Sequence, residues 1–432
     1  LEPQGSDPIV STERAARSSR VVSLCIAALA LALASAAFAQ PAPLRVAVTG
    51  DYPPLVARTG DGDYVGFDAD VARAFAEQRG SALEWVPMTW PELAAALAAG
   101  RFDVAMTGVT VRADRSVAGR FTVPVAESGA VVLVRDAALA SEAALAAPGV
   151  ALSVNAGGHL ERVARARFPQ AVITALPDNS AVRDAFVSGA ATAVVTDTLE
   201  APRWRSAVPG ALLVGPLTRD VKAYWLPIDR AALASELDAW LLAREADGML
   251  ARLRAQWLGA DAAPRRTALP ALALVAMLAE RLALQPYVAE AKRASGAPVF
   301  VPEREAQLLE AAIAATQQAA RAAKRTSPEQ DALAKFFTAL FEVSRTIQTA
   351  VLAQPPLEAA SAFDLDTQLR PALTRQTERV AALLPLLPAG LSETALSEEI
   401  AARTSDVPGL GDDARAQLAA ALVELAGARR TD

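Results

Sequence analysis

The spacing of apolar residues changes character near Trp257. Before that point short apolar runs alternate with helical stretches; beyond Gly259–Pro270 only helical spacing remains. Leu44–Thr49 is a run that buries a strand, whereas Phe67–Arg79 repeats at the helical period and stops at Gly80, a residue free to close a helix in the left-handed region. The two patterns demand different layer architectures, so the chain divides into two unlike globular parts. Its 432 residues leave room for both.

In the first part, strand Leu83–Val86, helix Pro91–Ala99 and strand Phe102–Met106 continue the alternation. A second series follows: strand Val150–Val154, helix Leu160–Phe168, strand Ala171–Ala175, helix Ser180–Ser188 and strand Ala193–Thr196. After strand Val221–Leu226, a long helix over Ala231–Leu258, breakable at Gly248, closes the part. Alternation of this kind predicts parallel sheets covered by helices, here in two lobes around a cleft. Ligands of open α/β sheets sit beyond the carboxyl ends of strands, which selects the turns after Thr49, Met106, Val154 and Thr196. The second part reads as helices Ala271–Lys292, Pro302–Ala323, Pro328–Leu352, Asp366–Leu384 and Asp412–Ala428, the first broken at Pro286. The expected fold class is a two-lobed α/β domain, residues 40–258, a linker, 259–270, and an all-α helical bundle, 271–432.

Charge narrows the function. With 42 basic against 48 acidic residues, the net charge of −6 offers no basic stripe for nucleic acid. Residues 1–39 carry the pattern of an export signal: Arg14, Arg17 and Arg20 precede the apolar run Val21–Leu33, and Ala37-Phe38-Ala39 offers cleavage before Gln40. The run is short for a spanning anchor, so the expected location is periplasmic or secreted, off the membrane after cleavage, with a retained anchor as the plain alternative. The single cysteine, Cys25, lies inside this run behind the bulky Leu24, which leaves the mature chain without disulfide or thiolate chemistry. His159 is the sole histidine and excludes a His-rich zinc site; no metal or cofactor is expected.

Two groups of polar residues carry chemistry. In the first part the loop Thr107–Arg115 ends on an arginine whose planar fork can grip a carboxylate, and Asn155-Ala156-Gly157-Gly158 opens a helix whose free N–H groups favour a second anion. Across Pro43–Leu258 the chain resembles periplasmic amino-acid-binding proteins, in which a hydroxyl residue and that arginine hold the ligand's carboxylate. Thr107, Thr110 and Arg115 stand at those positions. It is more similar to the cyclohexadienyl dehydratases, through Thr49-Gly50-Asp51-Tyr52, Gly66-Phe67-Asp68, Thr89-Trp90, Phe102-Asp103, Val154-Asn155 with Gly157-Gly158, Thr196-Asp197, Glu200-Ala201 and Lys222-Ala223-Tyr224. That resemblance implies loss of water and carbon dioxide from prephenate or arogenate. Glu200 is then the candidate acid for the leaving hydroxide, with a solvated helix glutamate as the plain alternative. Tyr52 and Trp90 would wall the ring, Asn155 and the two glycines would meet a carboxylate, and Lys222 would neutralise one. Asp197 would face either a substrate amine or a neighbouring cation. His159 departs from the family, which tends to a hydroxyl residue there.

In the second part Arg281 and Lys292, eleven residues apart, return to one helix face within about 20°. Arg304 with Glu305 follows on the next helix, Ser344 and Gln348 share a face at i, i+4, and Arg370 sits in Leu369-Arg370-Pro371. With Ala279-Glu280-Arg281-Leu282-Ala283, Ala291-Lys292 and Pro302-Glu303-Arg304-Glu305, this set resembles the all-helical chorismate mutases, especially the secreted subclass. The resemblance implies a pericyclic rearrangement of chorismate to prephenate. Arg281, Arg304 and Arg370 would bind carboxylates, Lys292 and Gln348 the ether oxygen, and Glu305 and Ser344 the hydroxyl. Val301 departs from relatives that carry an acid there. The two resemblances together imply small-molecule substrates and a homo-oligomer, a dimer through the helical part or larger. A mutase fused to a non-catalytic solute receptor is the competing reading, and Glu200 discriminates because a receptor needs no acid.

Overall fold

A computed structural model describes residues 42–262, 266–267, 269–357 and 363–428. The leader, its cleavage point and Cys25 lie outside these residues.

The first part is two lobes. One is built on a five-stranded sheet in which Leu44–Val48 pairs in parallel with Leu83–Pro87 on one side and Val104–Ala105 on the other. The second lobe pairs Ala151–Asn155 in parallel with Val172–Leu176 and with Ala193–Asp197. All-parallel sheets, the sequence expectation, are not what forms. Ala130–Val134 runs antiparallel to Ala193–Asp197, and Trp225–Leu226 antiparallel to Val104–Ala105. The physical cause is the crossing of the chain between lobes: a strand that returns from the other lobe enters from the opposite end. The stretch expected as one strand, Val221–Leu226, is correspondingly split into Asp220–Lys222, on the crossing, and Trp225–Leu226, in the first sheet.

Helices follow their sequence signals closely. Phe67–Arg79 has acids Asp68 and Asp70 in its first turn, where the helix dipole favours them, and Gly80 closes it at φ 68°. The long closing helix does break at Gly248, giving Ala231–Ala246 and Met249–Leu258. The helix expected over Pro91–Ala99 shrinks to Leu93–Ala98.

In the second part Pro286 ends a helix as expected: Pro270–Leu282 and Gln285–Ser295 are separate elements. This run is apolar enough to cross a membrane, yet 72% of its most apolar window is buried among other helices, as a core helix would be. Pro302–Ala322 and Gln330–Leu352 pack beside it, and Arg370–Leu383 follows a five-residue π-helical turn at Leu365–Leu369. Glu393–Arg403, a helix the sequence pattern did not single out, and Asp412–Gly427 complete the bundle.

The two parts share a seam. Ala113 and Val117, on the short helix Ala113–Ala118 of the first lobe, are buried with Leu284, Val288, Leu365, Leu369 and Ala372 of the bundle. Polar groups reinforce it. Glu280 accepts from Ser116 Oγ at 2.5 Å and pairs with Arg379 at 2.7 Å. Arg375 donates to the Ser116 and Val117 carbonyls, and Arg379 to that of Thr122. Even the linker is docked, since Thr267 Oγ1 donates to the Pro124 carbonyl and Arg266 to that of Glu245.

Candidate active sites

The cleft between lobes is closed. A Cβ on Gly157 of the second lobe would stand 3.1 Å from Pro91 of the first, and Asp51 of the first lobe accepts from the Asn179 N–H of the second at 3.0 Å. Tyr52 crosses the cleft to hydrogen-bond Asp197 through its hydroxyl, and Trp90 meets Tyr52 edge to face at 6.0 Å. Gly108 has φ 66°, and a Cβ there would stand 2.4 Å from the Tyr52 ring, so this loop position accepts only glycine. Asp68 fixes the same loop by accepting the Gly108 N–H at 2.7 Å.

Glu200 follows the strand Ala193–Asp197 and is 1% exposed, which excludes the solvated glutamate. Thr196 Oγ1 donates to its Oε2 at 3.0 Å, while Oε1 has no partner. Burial, and after it the Asp197 carboxylate, hold the Glu200 pKa well above the ordinary carboxylate range, which favours its protonated form. Arg115 is 9% exposed and donates to the Thr110 carbonyl at 2.9 Å. No carboxylate among the described residues pairs with it, and burial pulls its pKa down to about 9. A desolvated guanidinium left this way is a site for an anion.

Other expected residues take different places. Thr107 bonds Thr49 Oγ1 at 2.7 Å and is spent inside the first lobe. The Gly157 N–H is taken by Glu161 Oε2 at 2.8 Å, so the helix end offers fewer free donors than its sequence suggested. Lys222, expected opposite a substrate carboxylate, stands 3.3 Å from Asp197 Oδ2. Asp197 therefore faces a neighbouring cation. His159 Nε2 lies 3.0 Å from Asp220 Oδ2. Burial lowers the His159 pKa against the pull of Asp220, and Asp220 stays ionised despite its own burial because His159 bonds it. Nε2 is then the donor, and the buried, unpartnered Nδ1 presents an acceptor. Trp90 Nε1, Asn155 Oδ1 and Asp51 Oδ1 are likewise buried without partners. Such atoms are normally satisfied, and their concentration here marks a cleft made to hold a polar molecule.

The bundle holds a second site. Arg281, Lys292, Arg304, Glu305, Ser344, Gln348 and Arg370 line one cavity of about 230 Å³. Arg281 is 5% exposed, donates to Ser344 Oγ at 2.9 Å, and is lowered by burial to about 10. Lys292 donates to Gln348 Oε1 at 2.9 Å, and Gln348 donates in turn to Gln285 Oε1 at 2.8 Å. Arg304 is exposed at the rim without an ion-pair partner among the described residues; Arg370 pairs with Asp366 and Glu305 with Arg345. Sequence reasoning passed over Gln285, Val288 and Arg345, which also line the cavity. The first two complete an i, i+4, i+7, i+11 series with Arg281 and Lys292, a signal that was legible. Arg345 had none beyond adjacency to Ser344.

Residues 44–260 match the bacterial extracellular solute-binding proteins, family 3, and residues 272–349 match chorismate mutase type II. A cyclohexadienyl dehydratase of Pseudomonas aeruginosa is 36% identical over 221 residues, covering 50% of this chain and 82% of that protein. An L-arginine-binding protein of the same organism is 26% identical, covering 55% of this chain and 96% of its own length. Among solved structures, an ancestral amino acid-binding protein, a precursor of cyclohexadienyl dehydratase, matches 50% of this chain and 95% of its own at 30% identity and a TM-score of 0.47.

Proposed function

The chain belongs to bacterial extracellular solute-binding protein family 3, joined to a type II chorismate mutase domain, and on that premise we propose that it is a bifunctional enzyme of phenylalanine biosynthesis. The bundle, 271–432, rearranges chorismate to prephenate; the cleft of 40–258 converts prephenate or arogenate to phenylpyruvate or phenylalanine. The observation that carries the second step is the buried Glu200 with its unpartnered Oε1, its pKa raised by burial, in a cleft that also holds Arg115, a buried guanidinium without an ion pair among the described residues.

In the bundle no nucleophile is required. The ether C–O bond breaks as the new C–C bond forms, and catalysis consists of holding the dianion in a chair-like geometry and stabilising charge on the departing oxygen. Arg281, Arg304 and Arg370 bind the carboxylates. The Lys292 ammonium and the Gln348 amide donate to the oxygen, and Gln348 must exchange its Gln285 contact to do so. Ser344 and Glu305 orient neighbours and the ring hydroxyl. In the cleft, Glu200 gives its proton to the leaving hydroxyl. The electron pair of the ring's C–carboxylate bond moves through the diene, expelling water and releasing carbon dioxide as the ring becomes aromatic. Arg115 holds the side-chain carboxylate, and Tyr52 and Trp90 confine the ring. Export and self-association through the bundle belong to the same reading, supported by the leader pattern and the family resemblance.

The test supplies chorismate to the purified mature protein and follows phenylpyruvate. Prephenate accumulating without further conversion sinks the dehydratase; no ultraviolet loss of chorismate sinks the mutase.

A further inference from the structure

We propose that the bundle positions the carboxylate anchor of the cleft: Arg375, aided by Glu280 and Arg379, is a positioning residue for Arg115, so that side chains of the second part set the affinity of the first site. The inference rests on the reading of Arg115 as the group that holds the substrate's side-chain carboxylate.

Arg115 sits on a helix of six residues, Ala113–Ala118. A helix so short does not hold itself, because its few backbone bonds barely offset the cost of nucleation, and tertiary contacts decide where it lies. The Gly119 N–H returns to the Arg115 carbonyl, and the Trp225 indole donates to the same oxygen at 3.1 Å, which ties this turn to the first lobe. The Ser116 and Val117 carbonyls lie past that point, on residues only 0% and 5% exposed. Arg375 reaches across the seam and donates to both, at 3.2 Å and 3.1 Å. Its guanidinium is a cation at the end of the helix where the dipole favours one. The Ser116 hydroxyl, one residue from Arg115, donates to Glu280. That carboxylate is held in turn by Gln376 Nε2 at 2.6 Å and by Arg379 at 2.7 Å, and Arg379 continues to the Thr122 carbonyl at 3.0 Å. On the apolar side Ala113 and Val117 are buried with Leu284, Val288 and Leu369. The direction in which Arg115 aims is thus fixed from the lobe on one side and from the bundle on the other.

The clamp belongs to the joined chain. Arg375, Gln376 and Arg379 lie outside both family matches, which end at residue 260 and at residue 349. Their helix, Arg370–Leu383, lines the bundle cavity through Arg370, Thr374 and Thr377, while Arg375 and Arg379, one turn apart, serve the anchor of the cleft. The carboxylate that Arg115 holds keeps its charge through dehydration. A misaimed Arg115 therefore weakens substrate and transition state alike, which raises KM and leaves kcat in place.

Dehydration kinetics and calorimetric binding of phenylpyruvate are measured on the full mature protein. Arg375→Ala should raise KM for prephenate and Kd for phenylpyruvate by about tenfold, with kcat and the mutase kcat/KM each within about twofold of the wild type. Arg375→Lys, which keeps a charged donor, should restore most of the loss. A cycle with Arg115→Ala separates positioning from mere packing: in that background Arg375→Ala should change the dehydration kcat/KM by less than about twofold, because its route to the ligand is gone. Losses that multiply in the double variant, an unchanged KM, or a joint fall of kcat and mutase activity overturn the proposal. Arg375→Gln replaces the alanine variant if circular dichroism shows that it does not fold. If the wild type does not dehydrate prephenate, the dehydratase reading fails, and the affinities of the Arg375 variants for phenylpyruvate and L-phenylalanine still decide the positioning. A cleft that binds neither overturns both.

Discussion

If Lys292 donates to the ether oxygen as proposed, it ties the mutase reaction to pH in a calculable way. Burial, then repulsion from Arg370 and Arg304, pushes its ammonium down to about 8. Only the protonated form can donate to the ether oxygen, and kcat/KM follows the titration of the free enzyme. For a group of pKa about 8 the charged fraction is ~0.9 at pH ~7, ~0.1 at pH ~9 and ~0.01 at pH ~10. The loss of chorismate absorbance should therefore slow about tenfold in kcat/KM between the first two values and about another tenfold by the third. A bound dianion favours the ammonium, so kcat should hold to higher pH than kcat/KM. Lys292→Gln should remove the alkaline limb while lowering the whole profile. A wild-type kcat/KM that stays level to pH ~10 refutes the assignment of Lys292 as a donor of charge.

Four further outcomes follow from the geometry. Glu200→Gln should cut dehydration by about 10²–10⁴ while leaving ligand binding measurable, and wild-type dehydration should fall as pH rises through the raised Glu200 pKa. Asp68, buried, has its pKa lifted to about 7, so the folded state holds a proton that the unfolded chain has released. The Asp68 contribution to stability should accordingly be lost as pH rises from ~4 toward ~7, by about 4 kcal/mol, and Asp68→Asn should remove that component from the pH dependence in denaturant titrations. Gln348→Glu should restrict mutase activity to acid pH, because the new side chain donates only when protonated. Arg375→Ala strands the Ser116 and Val117 carbonyls and should cost ~1–3 kcal/mol in chemical unfolding.

Much of this was legible because local signals and tertiary demands agree. Gly80, Gly248 and Pro286 each end an element where their backbone chemistry requires. The convergence of these residues on one bundle cavity could be read because Arg281 and Lys292 lie on neighbouring helices of one line, where helical spacing serves as a ruler even across the break at Pro286. What escaped depends on contacts that have no period. The antiparallel strand Ala130–Val134 is set by the lobe crossing, not by its own residues. Lys222 meets Asp197 only because that crossing lays the strand Asp220–Lys222 between the lobes. Thr107 has the right type and motif position, yet its hydroxyl is claimed by Thr49, a partner 58 residues away. A helix N-terminus announced by Gly157-Gly158 is partly satisfied by the helix's own Glu161.

Successive residues of one helix, Glu280 and Arg281, face different halves of the molecule: the first holds Ser116, the second lines the cavity of the bundle. A helix cannot turn to suit one neighbour without turning for the other, so neither half is an interchangeable cassette. The covalent tether becomes the lesser bond once the seam has formed; its contribution is to keep the effective concentration of each half high around the other. A chain rearranged to join the halves in the opposite order should keep both sites if the seam is retained. A chain with the native order and a disrupted Glu280–Ser116 contact should lose their alignment.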